Sequence, residues 1–322
     1  MSERILVTGA AGVIGYDLAK RLLESGEHVV CVDTGFKWGL DDLRALVAAH
    51  PGRAELVEAD LARAPEALEG RFERIFHLAA IVGVRYVSDN PYETLDVNLR
   101  STLNVFDHAR ATGAKAVMFA SSSENYASGV DAGHVPVPTA EDVTLSIGDI
   151  ELPRWSYAAS KIAGESLLFA AAAEGGFAPV VIRFHNVYGP RMGPTHVVPE
   201  FLERCRAGVD PFPVYGPEQT RSFLYVTDAA RAVDSIVASA AADPSQGGLW
   251  NVGSGLETPI EDLARQIFDV TGHHPSIEAH PAPPGSVGRR APDVSKLASL
   301  GFAPEVALAD GLRACWDALQ TS

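Results

Sequence analysis

The chain has 322 residues, 47% of them hydrophobic, and its 41 acidic against 26 basic side chains leave a formal charge of −15. An acidic chain repels phosphate backbones and anionic lipid, so neither nucleic-acid nor membrane partners are expected. Cys31, Cys205 and Cys315 are far apart and form no metal or disulfide pattern, and no apolar run approaches the ~18 residues that span a bilayer. A reducing, cytoplasmic location without a metal is therefore the expectation, and the N-terminal MSERILVTGA enters a strand without a leader.

Strands are predicted at Arg4–Thr8, His28–Asp33, Glu55–Ala59, Arg74–Leu78, Ala116–Ser121 and Val180–Phe184, with another at Leu249–Val252. They are rich in Val and Ile and lack clean alternation, as strands buried on both faces should be. Helical stretches lie between them at Ile14–Ser25, Asp41–Ala49, Tyr92–Ala111 and Tyr157–Ala173. This alternation predicts an α/β fold of the Rossmann type, a doubly wound parallel sheet with a smaller C-terminal substrate-binding lobe. Ser128–Pro153 reads as a long loop over the sheet edge. From about Gly189 onward Pro and Gly become dense, as in GPRMGPTHVVPE, DPFPVYGPEQ and HPAPPGSVG. The division expected is a dinucleotide-binding domain over residues 1–180 and a lobe over 181–322. Within the latter, the strands near 180–184 and 249–252 return to the sheet.

TGAAGVIG (8–15) follows the first strand and opens the first helix, with Gly9, Gly12 and Gly15 at three-residue spacing. Glycine there permits a tight turn, close backbone approach to a pyrophosphate and close helix–strand packing. The helix start offers unpaired N–H groups to the phosphates. Asp33 ends the second strand; its carboxylate can bond both ribose hydroxyls of an adenosine and repels a 2′-phosphate, which favours NAD over NADP. Lys37 nearby keeps NADP open.

YAASK (157–161) puts Tyr157 and Lys161 one helical turn apart. A phenol with a reference pKa of ~10 is a poor base at neutral pH, and an adjacent ammonium should lower it. Tyr157 could then take a proton from a sugar hydroxyl while NAD accepts the hydride. FASSSENY (119–126) ends a predicted strand, on the edge of a doubly wound sheet where ligands bind. Ser122 is there to hydrogen-bond the reacting hydroxyl, although a turn role suits a serine-rich segment equally well.

These motifs, in this order, resemble the extended short-chain dehydrogenases, the NAD-dependent sugar-nucleotide epimerase, dehydratase and decarboxylase group. The resemblance runs nearly end to end, through HLAA (77–80), DVNLRSTLNV (96–105), RFHNVYGPRMG (183–193), QTRSFLYVTD (219–228) and NVGSG (251–255). It implies a pyrophosphate turn including Val13 and Ile14, and an adenine contact at Asp60 and Leu61. It also implies a cofactor-lining segment at Leu78, Ala79 and Ala80, a helix asparagine at Asn98, and catalytic Ser122, Tyr157 and Lys161. Asn186, Arg191 and Arg221 should face the nucleotide diphosphate of a UDP-like substrate, with Tyr86, Ser122, Ser123, Tyr215 and Arg290 completing the substrate set. A homodimer is implied as well, formed by a four-helix bundle of Tyr92–Ala111 and Tyr157–Ala173 with their twofold mates.

Oxidation at C4 of the sugar is common to the group, so the residues beside Ser122 carry the distinction. In 4,6-dehydratases a Thr-Asp-Glu run supplies the acids that eliminate water; here the run reads Ser122-Ser123-Glu124. Simple 4-epimerases have small or apolar residues after the catalytic Ser. Ser-Glu, with PRWSYAASK (153–161) and RRAPD (289–293), is most similar to the UDP-glucuronate decarboxylases such as UDP-xylose synthase. Glu124 would then position water or protonate C5, and Ser123 would contact the carboxylate; a purely structural role for Glu124 stays open. Asn125 and Ala127 replace the usual Val and Gly, and His196 sits near a position where those enzymes have Arg, so 4-epimerase and dehydratase readings stay open too. A non-catalytic NAD-sensing protein is the rival from another class, and the presence of both Tyr157 and Lys161 argues against it.

Overall fold

The computed structural model describes residues 3–282 and 286–321. Residues 283–285 of the Pro-rich HPAPPGSVG run lie outside the described residues.

A seven-stranded sheet organises the chain. Its strands are β1 (Arg4–Thr8), β2 (His28–Asp33), β3 (Ala54–Glu58), β4 (Arg74–His77), β5 (Ala116–Ser122), β6 (Ala178–Phe184) and a last strand, Gly248–Val252. Their order is β3-β2-β1-β4-β5-β6 followed by Gly248–Val252. The pairs from β3 through β6 are parallel. Parallel neighbours need a crossover, and each crossover here carries a helix or an irregular link. The helices are Val13–Glu24, Asp41–Ala48, Pro91–Thr112 and Trp155–Gly175. With helices on the sheet, strand residues lose contact with water on both sides, which is why β1 and β5 read as largely apolar runs rather than alternating ones.

Contacts divide the chain into two compact units. One comprises residues 1–125, 147–184 and 230–250; the other comprises 126–146, 185–229 and 251–322. The chain passes between them several times, which a single boundary at 180 does not represent. The segment 128–153 contains a short helix, Ala127–Asp131, and is otherwise irregular. Leu6, Val30, Ile75, Phe106, Phe119, Leu168 and Val181 pack the sheet of the first unit against its two long helices. The second unit has its own core, built on Tyr188, Phe201, Phe212, Leu263, Ile267 and Leu312. None of the helices in the described residues is long and apolar enough to cross a membrane.

Strand order reverses between β1 and β4, so a crevice opens at their carboxyl ends, the place where ligands bind in such sheets. One contact decides how close the helix carrying Tyr157 and Lys161 comes to this crevice. A Cβ at Gly164 would lie 2.2 Å from Cζ of Phe119 on β5. That ring is buried, with the rings of His77 and Phe106 at centroid distances of 6.0 and 5.9 Å. Gly164 thus lets the helix axis settle onto β5. Replacing glycine by alanine in a helix normally gains about 0.8–1.0 kcal/mol, but overpacking a filled core costs about 1–3 kcal/mol. Overlap this severe falls at the upper end, so Gly164→Ala should be net destabilising by about 1–2 kcal/mol; urea unfolding will show whether the helix gain or the overlap wins.

Candidate active site

The dinucleotide turn is held by main-chain packing. Gly9, at φ 71°, donates to Val32 O at 2.8 Å, and a Cβ on it would meet Ala79 N at 2.7 Å. A Cβ on Gly15 would lie 2.1 Å from Gly9 O, and one on Gly12 3.1 Å from the same oxygen. The turn is therefore packed as closely as backbone allows. Val13 and Ile14 open the first helix, whose start has Gly12 as N-cap, no capping side chain and no acidic residue in its first turn. An anion at this helix start meets N–H donors, with no acidic residue in the helix's own first turn. Asp33 braces the turn: Oδ2 accepts from Ala11 N at 2.9 Å and Oδ1 from Gly35 N at 2.9 Å.

The next strands contribute the remaining predicted cofactor residues. Asp60 Oδ1 accepts from Ala62 N at 2.9 Å, and the carbonyl of buried Leu61 is held by Asn104. Leu78, Ala79 and Ala80 leave β4 directly beside the glycine turn. Asn98 fixes the exit of that segment, since its Oδ1 accepts from Ile81 N at 2.7 Å and its Nδ2 donates to Ile81 O at 3.2 Å. The same Nδ2 reaches Ser160 Oγ, 3.2 Å away, which ties the β4 exit to the YAASK turn. His77 lies beneath, between Thr8 and Thr102, and burial pulls its pKa down to about 3, so it is a neutral hydrogen-bonding strut.

Ser122, Glu124, Tyr157 and Lys161 come together in the first unit. Ser122 ends β5, and Ser123–Tyr126 form a 3-10 turn that projects Glu124. The Glu124 amide donates to Ser122 Oγ at 3.2 Å, and Ser122 lies close enough to the Tyr157 hydroxyl to favour its ionised form. Lys161 is buried, with Nζ 4.8 Å from the Phe119 ring centroid and 5.6 Å from that of Tyr157. Arg154, stacked on Trp155 at 4.7 Å, approaches Glu124 to 3.7 Å. Buried Ser123 lies between the two catalytic candidates of the loop.

The electrostatics correct one expectation. An ammonium at Lys161 should lower the Tyr157 pKa, yet here the phenol lies above its ordinary value. Removal from water is the main cause and the Glu124 carboxylate the second, with Ser122 opposing both. Lys161 is itself pulled down to about 7 by burial. In a dehydrated site the neutral form of each group is favoured.

Tyr86 stands apart in a short helix, donating to Glu93 at 2.9 Å and stacked edge-on against Phe36. The other substrate candidates lie in the second unit. Asn186 takes a left-handed φ of 40° and donates to Ser222 O at 3.2 Å. Arg221 and Arg290 are register partners in two paired strands, Thr220–Arg221 and Arg289–Arg290. Side chains at partnered positions share a face, so two cations are brought together there. Arg221 also donates to Thr220 O at 2.8 Å and to Gln219 at 3.2 Å. Arg191 is half-buried in the segment after Tyr188. Tyr215 stacks on His280, centroids 4.9 Å apart, and stays 48% exposed.

Three residues at the site carried no sequence expectation of a role: Asn125, Glu165 and Arg183. Glu165 and Arg183 form a buried ion pair at 2.8 Å. Their signal was a charge set within the apolar runs VVIRF and IAGESLLF.

A glycine turn without room for side chains, a carboxylate ending β2, and a Tyr–Lys–Ser cluster at the sheet's carboxyl edge define a dinucleotide-dependent short-chain dehydrogenase. The profile of the NAD dependent epimerase/dehydratase family matches residues 5–253, and the chain belongs to that family of enzymes. A UDP-N-acetyl-alpha-D-glucosaminuronate decarboxylase of Bacillus cytotoxicus is 33% identical, over 97% of this chain and 96% of its own length. A UDP-glucose 4-epimerase of Mycolicibacterium smegmatis is 34% identical, over 96% of each. Among solved structures, a UDP-glucuronic acid 4-epimerase from Bacillus cereus, in complex with UDP-glucuronic acid and NAD, is 25% identical with a TM-score of 0.82, covering 99% of both chains. NAD is the cofactor of this family, and the closely packed turn, the open helix start and Asp33 fit it.

Tyr157 is the group of the cluster with an ionisable hydroxyl, and Ser122 acts on it electrostatically. General acid–base groups contribute about 10²–10⁴-fold. Tyr157→Phe should therefore cut turnover at least about 100-fold while NAD still binds, because the pyrophosphate turn is built from other strands. Retention of more than a few per cent of activity, with NAD binding followed by fluorescence, would point to another base.

Proposed function

We propose that this enzyme oxidises C4 of the sugar in a UDP-hexuronate, with UDP-glucuronate as the substrate, and releases the sugar carboxylate as CO2. The observation that carries this reading is Glu124. It is one carboxylate beside Ser122, close enough to act on Tyr157 electrostatically, in a run with serine in place of a second acid. The decarboxylase similarity supports it.

Tyr157 takes the proton of the C4 hydroxyl, which Ser122 orients. Bound NAD supplies the hydride acceptor and, when oxidised, a positive charge that favours the phenolate. The C4 ketone is then β to the carboxylate. The C5–C6 bond breaks, its electron pair enters the ketone as an enolate, and the carboxylate leaves as CO2. C5 receives its proton from Glu124 in its acid form or from water that Glu124 positions. Arg221 and Arg290 hold the diphosphate with charge-assisted hydrogen bonds. Asn186, Arg191 and Tyr215 complete the nucleotide site, while Ser123 and Tyr86 are assigned to the sugar end.

A second reading, a 4-epimerase that returns the hydride to the opposite face of the sugar, is favoured by the 34% identity to a UDP-glucose 4-epimerase. The two readings part at the product. The decarboxylase reading expects CO2 and a pentose or 4-ketopentose from UDP-glucuronate, tested beside UDP-N-acetylglucosaminuronate and UDP-glucose by mass spectrometry. It also expects Glu124→Gln to slow product formation more than hydride transfer, so that absorbance of reduced cofactor builds up in a single turnover. Recovery of the C4 epimer alone, without CO2, would replace it by the epimerase.

We also propose a homodimer. The helices Pro91–Thr112 and Trp155–Gly175 lie side by side in the first unit, with Leu103 and Phe169 about two-fifths exposed and Tyr92 81% exposed on them. Pairing these faces about a twofold axis buries that apolar surface, and isologous pairing is the commonest assembly. Light scattering at micromolar concentration should give twice the chain mass; a monomer at that concentration would remove the proposal.

A further inference from the structure

We infer that Glu165 is a positioning residue that clamps the loop carrying Ser122 and Glu124 to the helix carrying Tyr157 and Lys161. The inference rests on the catalytic reading of Ser122 and Tyr157, but not on which product is formed.

Tyr157, Lys161 and Glu165 recur at four-residue steps on the helix Trp155–Gly175, and so share a face. Glu165 is 4% exposed. Its Oε1 accepts from Ser121 Oγ at 2.5 Å, from Asn125 Nδ2 at 2.9 Å and from Arg183 Nε at 3.0 Å. Its Oε2 accepts from Arg183 Nη2 at 2.8 Å. Ser121 and Arg183 are register partners across β5 and β6, so the carboxylate sits over both strands.

The donors matter by their place in the chain. Ser121 immediately precedes Ser122, and Asn125 immediately follows Glu124. Asn125 Nδ2 also donates to Ser121 Oγ at 3.0 Å, which closes the loop's two ends on one another. The three residues between, Ser122, Ser123 and Glu124, are thus held as a short closed loop whose anchor lies on the catalytic helix. The orientation of Asn125 follows from Glu165, since the reversed amide would set oxygen against carboxylate. In the adopted orientation Asn125 Oδ1 is a buried oxygen without a hydrogen-bond partner among the described residues. An unsatisfied buried acceptor is a cost, and it is borne for the two donor bonds.

Stability alone is a weak reason for this arrangement. A buried ion pair is often no more stabilising than apolar residues of the same volume. What the fork-and-carboxylate geometry adds is direction: it fixes where Ser122 Oγ lies relative to the Tyr157 hydroxyl. Misplacement by about 1 Å costs on the order of 100-fold in rate.

The test uses Asn125→Leu, which keeps volume and removes the donor, beside Glu165→Gln. In the ligand-free protein, amide exchange over residues 121–126 should quicken about tenfold, as for loss of a hydrogen bond, while β1 and β4 stay protected. With the sugar nucleotide from the panel above that best reduces the cofactor, the reduction rate should fall about 10–100-fold with KM changed less than about threefold. If the clamp works through Ser122, adding Ser122→Ala to Asn125→Leu should cost little more than Ser122→Ala alone. Unchanged exchange and rate in folded Asn125→Leu, or losses that simply multiply with Ser122→Ala, would overturn the inference. Should Glu165→Gln not fold, Asn125→Leu still decides it. Should no sugar nucleotide reduce the wild-type cofactor, the proposed function fails, and the exchange result still decides the clamp.

Discussion

Removal of Lys161 and Tyr157 from water is the constraint on which the chemistry depends. Both groups are pushed towards their neutral forms, Lys161 down to about 7 and Tyr157 above its ordinary range. Charge of the right sign beside this pair would shift it back towards its ionised forms. Oxidised NAD, when bound, would supply such a charge. Lys161 lies between the rings of Phe119 and Tyr157, buried with the phenol it follows by one helical turn.

That desolvation is produced by packing. Gly164 lets the helix of Tyr157 and Lys161 descend onto Phe119, and the aromatic pair Phe106 and Phe119 with His77 fills the space beneath. His77 stays neutral and ties β1 to the helix Pro91–Thr112 through Thr8 and Thr102. Asn98 then joins the β4 exit to Ser160. Cofactor turn, β4 exit and catalytic helix are parts of one hydrogen-bonded frame, and its stiffness comes from buried polar groups that each have a defined partner.

The proposed substrate is an anion, and the acidic chain would meet it with local groups. Its net charge is unfavourable for anions, but Arg221 and Arg290 are set side by side by strand register, and the first helix presents its start without acidic residues in its first turn. Local cations and N–H groups at short range outweigh a diffuse surface charge that salt screens.

The sequence by itself determined the sheet strands nearly to the residue, because strands buried on both faces are apolar runs bounded by turn residues; β1 and β2 match their predicted limits fully. It also determined the glycine turn, Asp33 and the Tyr157–Lys161 spacing, since these are local constraints on backbone and helix period. The tertiary structure alone decided which distant residues meet. Glu165 and Arg183 look like isolated charges in apolar segments until helix and strand are packed together. Arg221 and Arg290 become neighbours only through pairing of short strands 69 positions apart. The direction of the Tyr157 shift was likewise beyond reach from spacing: a helical turn puts an ammonium near a phenol, but burial, which depends on everything packed around the pair, decides whether either carries a charge.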